Sequence, residues 1–315
     1  AVAIIGTNYL AYSGIINITK TIYTGQSLPW LAHIVGGATF GIGMTLASGC
    51  GNKTLVRVGG GNLKAVVVFI YMAYAAQLTL RGIFAPFRVN ILQAAPVTVQ
   101  LPTNQTLPHL LGGSFGFDLA LAQMVFALAI GGLLIAFVVF NKQFWENKDN
   151  FLAGLVLGAV VVGGWYVTGK IGFAEDPESL QEIVFGTNSK LAESMSFVAP
   201  SAYTIELWSM WTDTSTVATW GIATVIGVGI GSFLYAVATK AFRWEHFVSA
   251  QDMFRHIIGG TLMGFGGVTA MGCTIGQGLT GFSTLSVGSI ITFVAIVIGA
   301  SATMKYEYWR MMREE

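Results

Sequence analysis

The chain has 315 residues, of which 54% are hydrophobic and only 10% are charged. A soluble chain usually carries about 25% charged residues, so this composition excludes an ordinary soluble domain and predicts a membrane protein. The net charge of +1 gives no basis for a nucleic-acid partner. Two cysteines are too few for a disulfide framework or a four-ligand metal site, and no cofactor is expected.

Long apolar runs predict the membrane spans, since about 20 helical residues cross the hydrocarbon core. Glycine-rich runs at 30–49 and 256–272 predict shorter or broken helices, and interrupted runs at 83–96 and 197–211 predict partial or interfacial segments. The first long run lacks a preceding basic segment, so we interpret it as a mature helix rather than a signal peptide. The predicted spans are 2–19, 65–80, 117–140, 151–169, 216–239 and 285–304.

Charges at the ends of these runs suggest an orientation. Positive residues cluster in 141–150, in 240–255 and after residue 304, whereas 170–215 is mainly acidic. By the positive-inside rule, the basic loops and the C-terminus are expected in the cytoplasm and the acidic segment outside. The acidic residues are Glu175, Asp176, Glu178, Glu182, Glu193, Glu206 and Asp213.

The two glycine-rich runs form an internal repeat with an offset of 223 residues. "HIVGGATFGIGMTLASGC" at 33–50 matches "HIIGGTLMGFGGVTAMGC" at 256–273 at nine of 18 positions, and both copies end in a cysteine. Glycines before each cysteine are expected to serve close helix packing. Each cysteine is followed by a polar, glycine-bearing loop, and matched broken helices in two halves of a chain point to a transport site.

The orientation of the spans predicts that the two copies run in opposite directions. We therefore expect one membrane transport domain over residues 1–315, with inverted repeat blocks at 33–80 and 256–304. The fold class is an all-α integral membrane protein with two pseudo-symmetric halves and short or broken helices, because twenty-residue apolar runs in lipid favour helices.

Cys50 and Cys273 are the candidate functional thiols, since both occur in polar loops at matched positions. Three alternatives are a small apolar filler, a structural disulfide between the two, or thiols that line a path and offer a soft, polarizable contact to another sulfur atom. Candidate path residues beside them are Gly49, Gly51, Asn52, Lys53, Arg57, Gly272, Thr274 and Gln277.

Cations follow the first cysteine only. Lys53 and Arg57 are either an ordinary positive flank or, together with exposed backbone N–H groups at a helix break, an attraction for an anion. The second copy offers only neutral polar groups in their place, which are Thr274, Gln277, Thr280, Ser283 and Thr284. His33 and His256 begin the matched runs and are expected to contribute at a helix end, or to act as ligands or proton carriers.

"GGATFGIGMTLASGCGNKTLVRVGGGN" (36–62) and "GGTLMGFGGVTAMGCTIGQGLTGFSTLSVGS" (259–289) resemble the YeeE/YedE family of bacterial sulfur-compound transporters, whose characterised members take up thiosulfate. The resemblance implies an inner-membrane fold of about nine spans. It also implies loop cysteines at Cys50 and Cys273 that line a central path, with Arg57 after the first loop. Some members act beside a small soluble sulfur-carrier protein.

The chain departs from this pattern at one point. Thiosulfate-transporting relatives carry another cysteine after the first span, whereas residues 1–32 here contain none. Either the path has two thiols or the substrate is a different sulfur species. The predicted function is an inner-membrane permease for a small sulfur-containing anion, most simply thiosulfate, passed along the thiols of the Gly-Cys loops. The alternatives are transport of another sulfur species, such as persulfide or sulfite, and a membrane sulfurtransferase or thiol redox protein. A scaffold subunit with packing glycines is a third, non-catalytic alternative.

Overall fold

A computed structural model describes residues 1–112, 119–146, 148–175 and 182–314. Within this part the chain is mainly helical and has four short strands. The helices are α1 (Val2–Tyr12), α2 (Trp30–Leu46), α3 (Gly51–Gly59), α4 (Leu63–Leu80), α5 (Ala85–Phe87), α6 (Leu107–Gly112), α7 (Leu119–Phe140), α8 (Lys142–Trp145), α9 (Lys148–Tyr166), α10 (Val198–Ser209), α11 (Trp220–Ala238), α12 (Ala250–Thr269) and α13 (Val287–Glu314). The strands are β1 (Ser27–Leu28), β2 (Val99–Gln100), β3 (Phe173–Glu175) and β4 (Glu182–Val184).

Six helical segments in the described part are long and apolar enough to cross a membrane. The expected count of about nine spans stays a prediction. The six segments are Trp30–Gly59, Leu63–Leu80, Leu119–Phe140, Lys148–Ile171, Trp220–Ala238 and Val287–Arg313.

Two of the expected boundaries are wrong. A span over 2–19 does not form, because α1 ends at Tyr12 and Gly14 turns the chain with a left-handed φ of 69°. The second glycine-rich helix is longer than expected, since α12 begins at Ala250, where the Ser249 side chain accepts a hydrogen bond from the Asp252 backbone N–H. Residues 117–118 of a predicted span, and Asp176 and Glu178 of the acidic segment, lie outside the described residues.

The described chain divides into two compact units. The first comprises 1–28, 100–195 and 278–290. Its helix α1 packs against α7 and α9, with Gly131 facing Ile5 and Gly158 facing Val2. Strands β3 and β4 pair antiparallel after α9.

A buried polar network lies in the core of the first unit. Asn8 in α1 donates to the Ser283 carbonyl oxygen at 2.9 Å and accepts from Gln123 in α7 at 3.1 Å. The indole N–H of Trp165, which has no exposed surface, donates to the Ser283 hydroxyl oxygen at 3.1 Å. These bonds satisfy polar groups that would otherwise be costly to bury.

The second unit comprises 29–99, 196–277 and 291–315 and contains both cysteines. Helices α2 and α12 cross antiparallel through glycines. A Cβ on Gly36 would lie 2.8 Å from the Gly266 carbonyl oxygen, and a Cβ on Gly43 would lie 2.6 Å from that of Gly259. Gly36 matches Gly259 and Gly43 matches Gly266 in the repeat, so the contacts are reciprocal.

The other glycine pairs of the repeat pack each central helix against a second partner. Gly37 faces Thr292 and Ala295 in α13, whereas Gly260 faces Val68 and Tyr71 in α4. Four residues further on, Gly41 and Gly264 also contact α13 and α4, respectively. The expected close packing through small residues is therefore present. Helix α13 packs against the glycines of α2 in the same way as α4 packs against those of α12.

Candidate functional site

The first helix break lies between α2 and α3. After Ala47, Ser48 adopts a left-handed φ of 61°, and the Gly49 N–H returns to the Met44 carbonyl oxygen at 2.9 Å. This is the hydrogen-bond pattern of a Schellman turn, which satisfies carbonyl groups at a helix end. Cys50 is extended, with φ −74° and ψ 171°, and stands at the N-cap position of α3.

The second break repeats this turn at the matched residues. Met271 has a left-handed φ of 57°, and the Gly272 N–H donates to the Gly267 carbonyl oxygen at 2.8 Å. Met271 lies 223 residues after Ser48, and Cys273 follows it as Cys50 follows Ser48. Both cysteines are thus held by the same sequence of helix, left-handed turn and new helix.

The helix after the second break contains one additional residue. In the first copy the helix spans 51–59, and in the second it spans 274–283 and includes a π-helical turn at Gly276–Gly281. Left-handed residues then follow at Gly61 and Leu285, which are 224 residues apart. A π turn amounts to a one-residue insertion in a helix, so it accounts for the change of offset from 223 to 224.

The two thiols are both free and have different environments. Cys50 is half-buried and its side chain makes no capping hydrogen bond, whereas Cys273 has no exposed surface. The Cys273 Sγ accepts a hydrogen bond from the Gly276 backbone N–H at 3.3 Å. The two thiols that the sequence singled out therefore lie at equivalent helix breaks but differ in exposure.

The residues around Cys50 differ in exposure. Gly51 is buried, Asn52 is half-buried and Lys53 is exposed. Arg57, in the last turn of α3, directs its Nη1 back to the Ser48 carbonyl oxygen at 3.4 Å. Among the described residues neither cation has a carboxylate partner. Cys50 therefore stands at the N-terminus of a helix that carries two cations without a carboxylate partner in the described part of the chain.

The polar groups after Cys273 divide into two sets. Thr280, Ser283 and Thr284 donate their hydroxyl hydrogens to backbone carbonyl oxygens and are therefore engaged in holding the fold. In contrast, Thr274 Oγ1 and Gln277 Oε1 are buried without a hydrogen-bond partner. Buried polar atoms are rarely left unpaired, so these two are the best-placed groups to meet an ion or water in this loop.

The two matched histidines have different partners. His33 is buried in the first turn of α2, and its Nδ1 lies 2.7 Å from the Thr292 hydroxyl oxygen, while its Nε2 has no partner. His256 lies in the second turn of α12, with its Nδ1 2.8 Å from the Asp252 carbonyl oxygen. The first histidine joins two helices and the second bonds within its own helix, so they do not form an equivalent pair.

Sequence reasoning missed three residues near the thiols. A Cβ on Gly51 would lie 3.1 Å from the Met72 Sδ and 3.9 Å from the Phe197 Cβ, so a buried thioether and the base of a buried aromatic side chain flank the chain next to Cys50. Thr269, at the end of α12, has a buried hydroxyl without a partner. No sequence signal distinguishes these side chains from ordinary apolar core or helix residues, because their position depends on packing between α4, α10 and α12.

Metal chemistry finds no support in the described part of the chain, where no group of three His, Cys, Asp or Glu side chains could hold an ion. The arrangement instead presents two thiols, one thioether, two cations and several unpaired neutral groups. Soft sulfur contacts and diffuse positive charge suit a polarizable anion better than a hard metal ion.

The chain matches the family described as "Sulphur transport" over residues 1–302. It belongs to this sulphur-transport family. The resemblance to YeeE/YedE proteins is confirmed, and the six apolar segments fit a multi-pass membrane protein.

Two relatives of this family member are named thiosulfate transporter TsuA. The one from Escherichia coli (strain K12) is 25% identical over 315 residues, which cover 93% of this chain and 79% of the relative. The one from Spirochaeta thermophila is 25% identical over 282 residues, with 87% and 77% covered. The relatives are therefore transporters of a sulfur compound.

Proposed function

We propose that this protein is a permease that carries a small sulfur-containing anion, most simply thiosulfate, past Cys50 and Cys273. The observation that carries the proposal is the pair of free thiols, each placed at the start of a helix that follows the same left-handed turn. The names of the two relatives support thiosulfate as the substrate.

The two loops differ in charge, so the anion is attracted more strongly to the first loop than to the second. Lys53 and Arg57 lie beside the first thiol, and the helix N-terminus there adds partial positive charge. The second loop has neutral Thr274 and Gln277 in place of cations. A cationic first contact and a neutral second contact would draw a divalent anion in without holding it too tightly to leave.

We further propose that residues 1–315 form one transport domain in which 33–80 and 256–304 are inverted repeats. The reciprocal contacts of Gly36 with Gly266 and of Gly43 with Gly259 support a two-fold relation, since each glycine meets the counterpart of its partner. The antiparallel crossing of α2 and α12 supports the inverted sense. The basic loops favour a bacterial inner membrane orientation with a cytoplasmic C-terminus.

We propose that the anion passes the two thiols without forming a covalent bond to either. On this proposal the protein is a transporter and not an enzyme. A sulfurtransferase would instead use the same cysteines as nucleophiles. Intact-mass analysis after substrate exposure separates the two, since a covalent route leaves a persulfide or mixed disulfide on a cysteine. A small soluble sulfur-carrier protein is the proposed cytoplasmic partner.

Uptake of radiolabelled thiosulfate into liposomes tests the proposal directly. Cys50→Ala and Cys273→Ala should each lower uptake at least about tenfold, and unlabelled sulfite, sulfate and sulfide added as competitors define the substrate. Ser209→Ala, at an exposed helix end, is the matched control and should transport normally. Wild-type uptake in both cysteine variants, with normal membrane insertion, would contradict the proposed thiol path.

A further inference from the structure

The glycine before each cysteine is covered by a long side chain from the helix that follows. A Cβ on Gly49 would lie 2.8 Å from the Lys53 Cδ. A Cβ on Gly272 would lie 2.9 Å from the Gln277 Cγ. In both copies the aliphatic part of a long side chain therefore folds back over the break and passes close to the backbone beside the thiol.

Lys53 and Gln277 cover corresponding glycines from backbone positions that do not correspond. Lys53 comes four residues after Gly49, whereas Gln277 comes five residues after Gly272. The backbone counterpart of Gln277 is Thr54, since the N–H groups of Gln277 and Thr54 donate to the carbonyl oxygens of Cys273 and Cys50, at 2.7 Å and 2.8 Å. The 223-residue offset also pairs Gln277 with Thr54, so the shared placement of the Lys53 and Gln277 side chains is visible only in the structure.

Gln277 ties the two sides of its break together. Its Nε2 donates a hydrogen bond to the carbonyl oxygen of Ala270, the C-cap residue of α12, at 2.6 Å. Its backbone N–H donates to the Cys273 carbonyl oxygen at 2.7 Å. Cys273 lies in the chain between Ala270 and Gln277, and its side chain is fully buried. The side chain of Gln277 is also buried, with 1% of its surface exposed.

Lys53 makes no such connection. Its side chain is exposed, and no hydrogen bond from it to the far side of the break occurs among the described residues. Cys50 beside it is correspondingly half-buried. The first break is thus covered by an exposed side chain, and the second by a buried side chain whose amide is hydrogen-bonded across the break.

We propose that Gln277 is a positioning residue that fixes the second break and keeps Cys273 shielded, and that Lys53 is its movable counterpart at the first break. In transport, which rests on the function proposed above, Cys50 is then the thiol open to an arriving anion. Cys273 becomes available only when the Gln277–Ala270 hydrogen bond opens.

Thiol labelling tests this without relying on transport. In a Cys50→Ala background, the rate at which a small methanethiosulfonate reagent modifies Cys273 is measured for purified protein in liposomes. Gln277→Met keeps the length and removes the donor, and it should raise the labelling rate roughly tenfold. Gln251→Met, on an exposed position of α12, is the matched control and should leave the rate unchanged.

A second variant and a second measurement separate the outcomes. Gln277→Asn is too short to reach Ala270 and should also expose Cys273, so it serves if Gln277→Met does not fold. Folding is monitored by gel filtration and thermal unfolding. Unchanged labelling in a folded Gln277 variant would overturn the proposal. Faster labelling of the Gln277 variants, combined with no thiosulfate uptake by the wild-type protein, would support the positioning role and count against the permease.

Discussion

Gly36 and Gly266 pack backbone against backbone, with the Cβ position of each less than 3 Å from the carbonyl oxygen of the other. No side chain fits between the two helices at this point. Since Gly36 and Gly266 belong to different copies of the repeat, one close contact joins the two helices that carry Cys50 and Cys273. The distance between the two helix breaks therefore depends on this contact.

Replacing Gly36 with alanine should therefore destabilise the protein by about 1–3 kcal/mol, because α2 and α12 would have to move apart. Gly227→Ala in α11 is the matched control, since a Cβ there would meet no atom within 4 Å. Thermal unfolding in detergent, followed by gel filtration, measures the difference. Equal melting temperatures for the two variants would show that the crossing tolerates a methyl group.

Arg57→Gln should raise the substrate concentration for half-maximal uptake severalfold, because it removes a positive charge near the first thiol while retaining hydrogen-bonding groups. The effect should diminish at high salt, which screens the attraction. Lys305→Gln, an exposed position on α13, controls for total charge. Concentration-dependent uptake at two ionic strengths provides the measurement. An identical response of both variants would assign Arg57 to the ordinary positive flank.

Thr292→Val should lower the free energy of unfolding by about 1–3 kcal/mol, because it leaves the Nδ1 of buried His33 without its partner at 2.7 Å. Thr303→Val, also on α13, loses only a hydrogen bond to its own helix at Gly299 and should cost less. The two variants are compared by thermal unfolding. A larger loss for Thr303→Val would mean that the His33 hydrogen bond contributes little to holding α2 against α13.

Asp252→Asn should reduce stability at neutral pH but not in acid. The hydrogen bond from Lys64 holds the pKa of Asp252, in the first turn of α12, below its usual value. A lowered folded-state pKa stabilises the protein above the unfolded pKa, and this contribution is lost as the pH falls through the lower value. The pair is partly exposed, so about 0.2–1 kcal/mol is expected.

Unfolding at pH 7 and near pH 3 measures this dependence. The melting temperatures of wild type and Asp252→Asn should differ at pH 7 and converge in acid. Glu146→Gln, at an exposed position without a salt bridge in the described part, controls for the removal of a carboxylate. A constant difference at both pH values would assign the effect to something other than ionisation of Asp252.

The sequence predicts much of the site because the repeat is visible as identities. Glycines at fixed spacing and a terminal cysteine locate both breaks, and the expected packing of Gly37 and Gly260 is found. The end of α1 is not predictable in the same way. Residues 13–19 continue an almost uncharged run, and only the left-handed turn at Gly14 shows that the helix stops.

The side chains that surround Cys273 are not predictable from the sequence for a different reason. The 223-residue offset pairs Gln277 with Thr54, so nothing in the sequence indicates that the side chains of Gln277 and Lys53 cover corresponding glycines. Met72 approaches Gly51 through contacts distant in the chain. Such positions depend on how helices pack, and local pattern carries little information about them.

The left-handed turns at Ser48 and Met271 have a consequence for how the two copies of the repeat are recognised. A small hydroxyl residue and a long thioether residue share one backbone conformation, although neither is the glycine that this conformation favours. At the turn itself the two copies share the path of the main chain and not the side chain. The torsion angles at a helix break therefore identify the second copy at positions where the residue types differ.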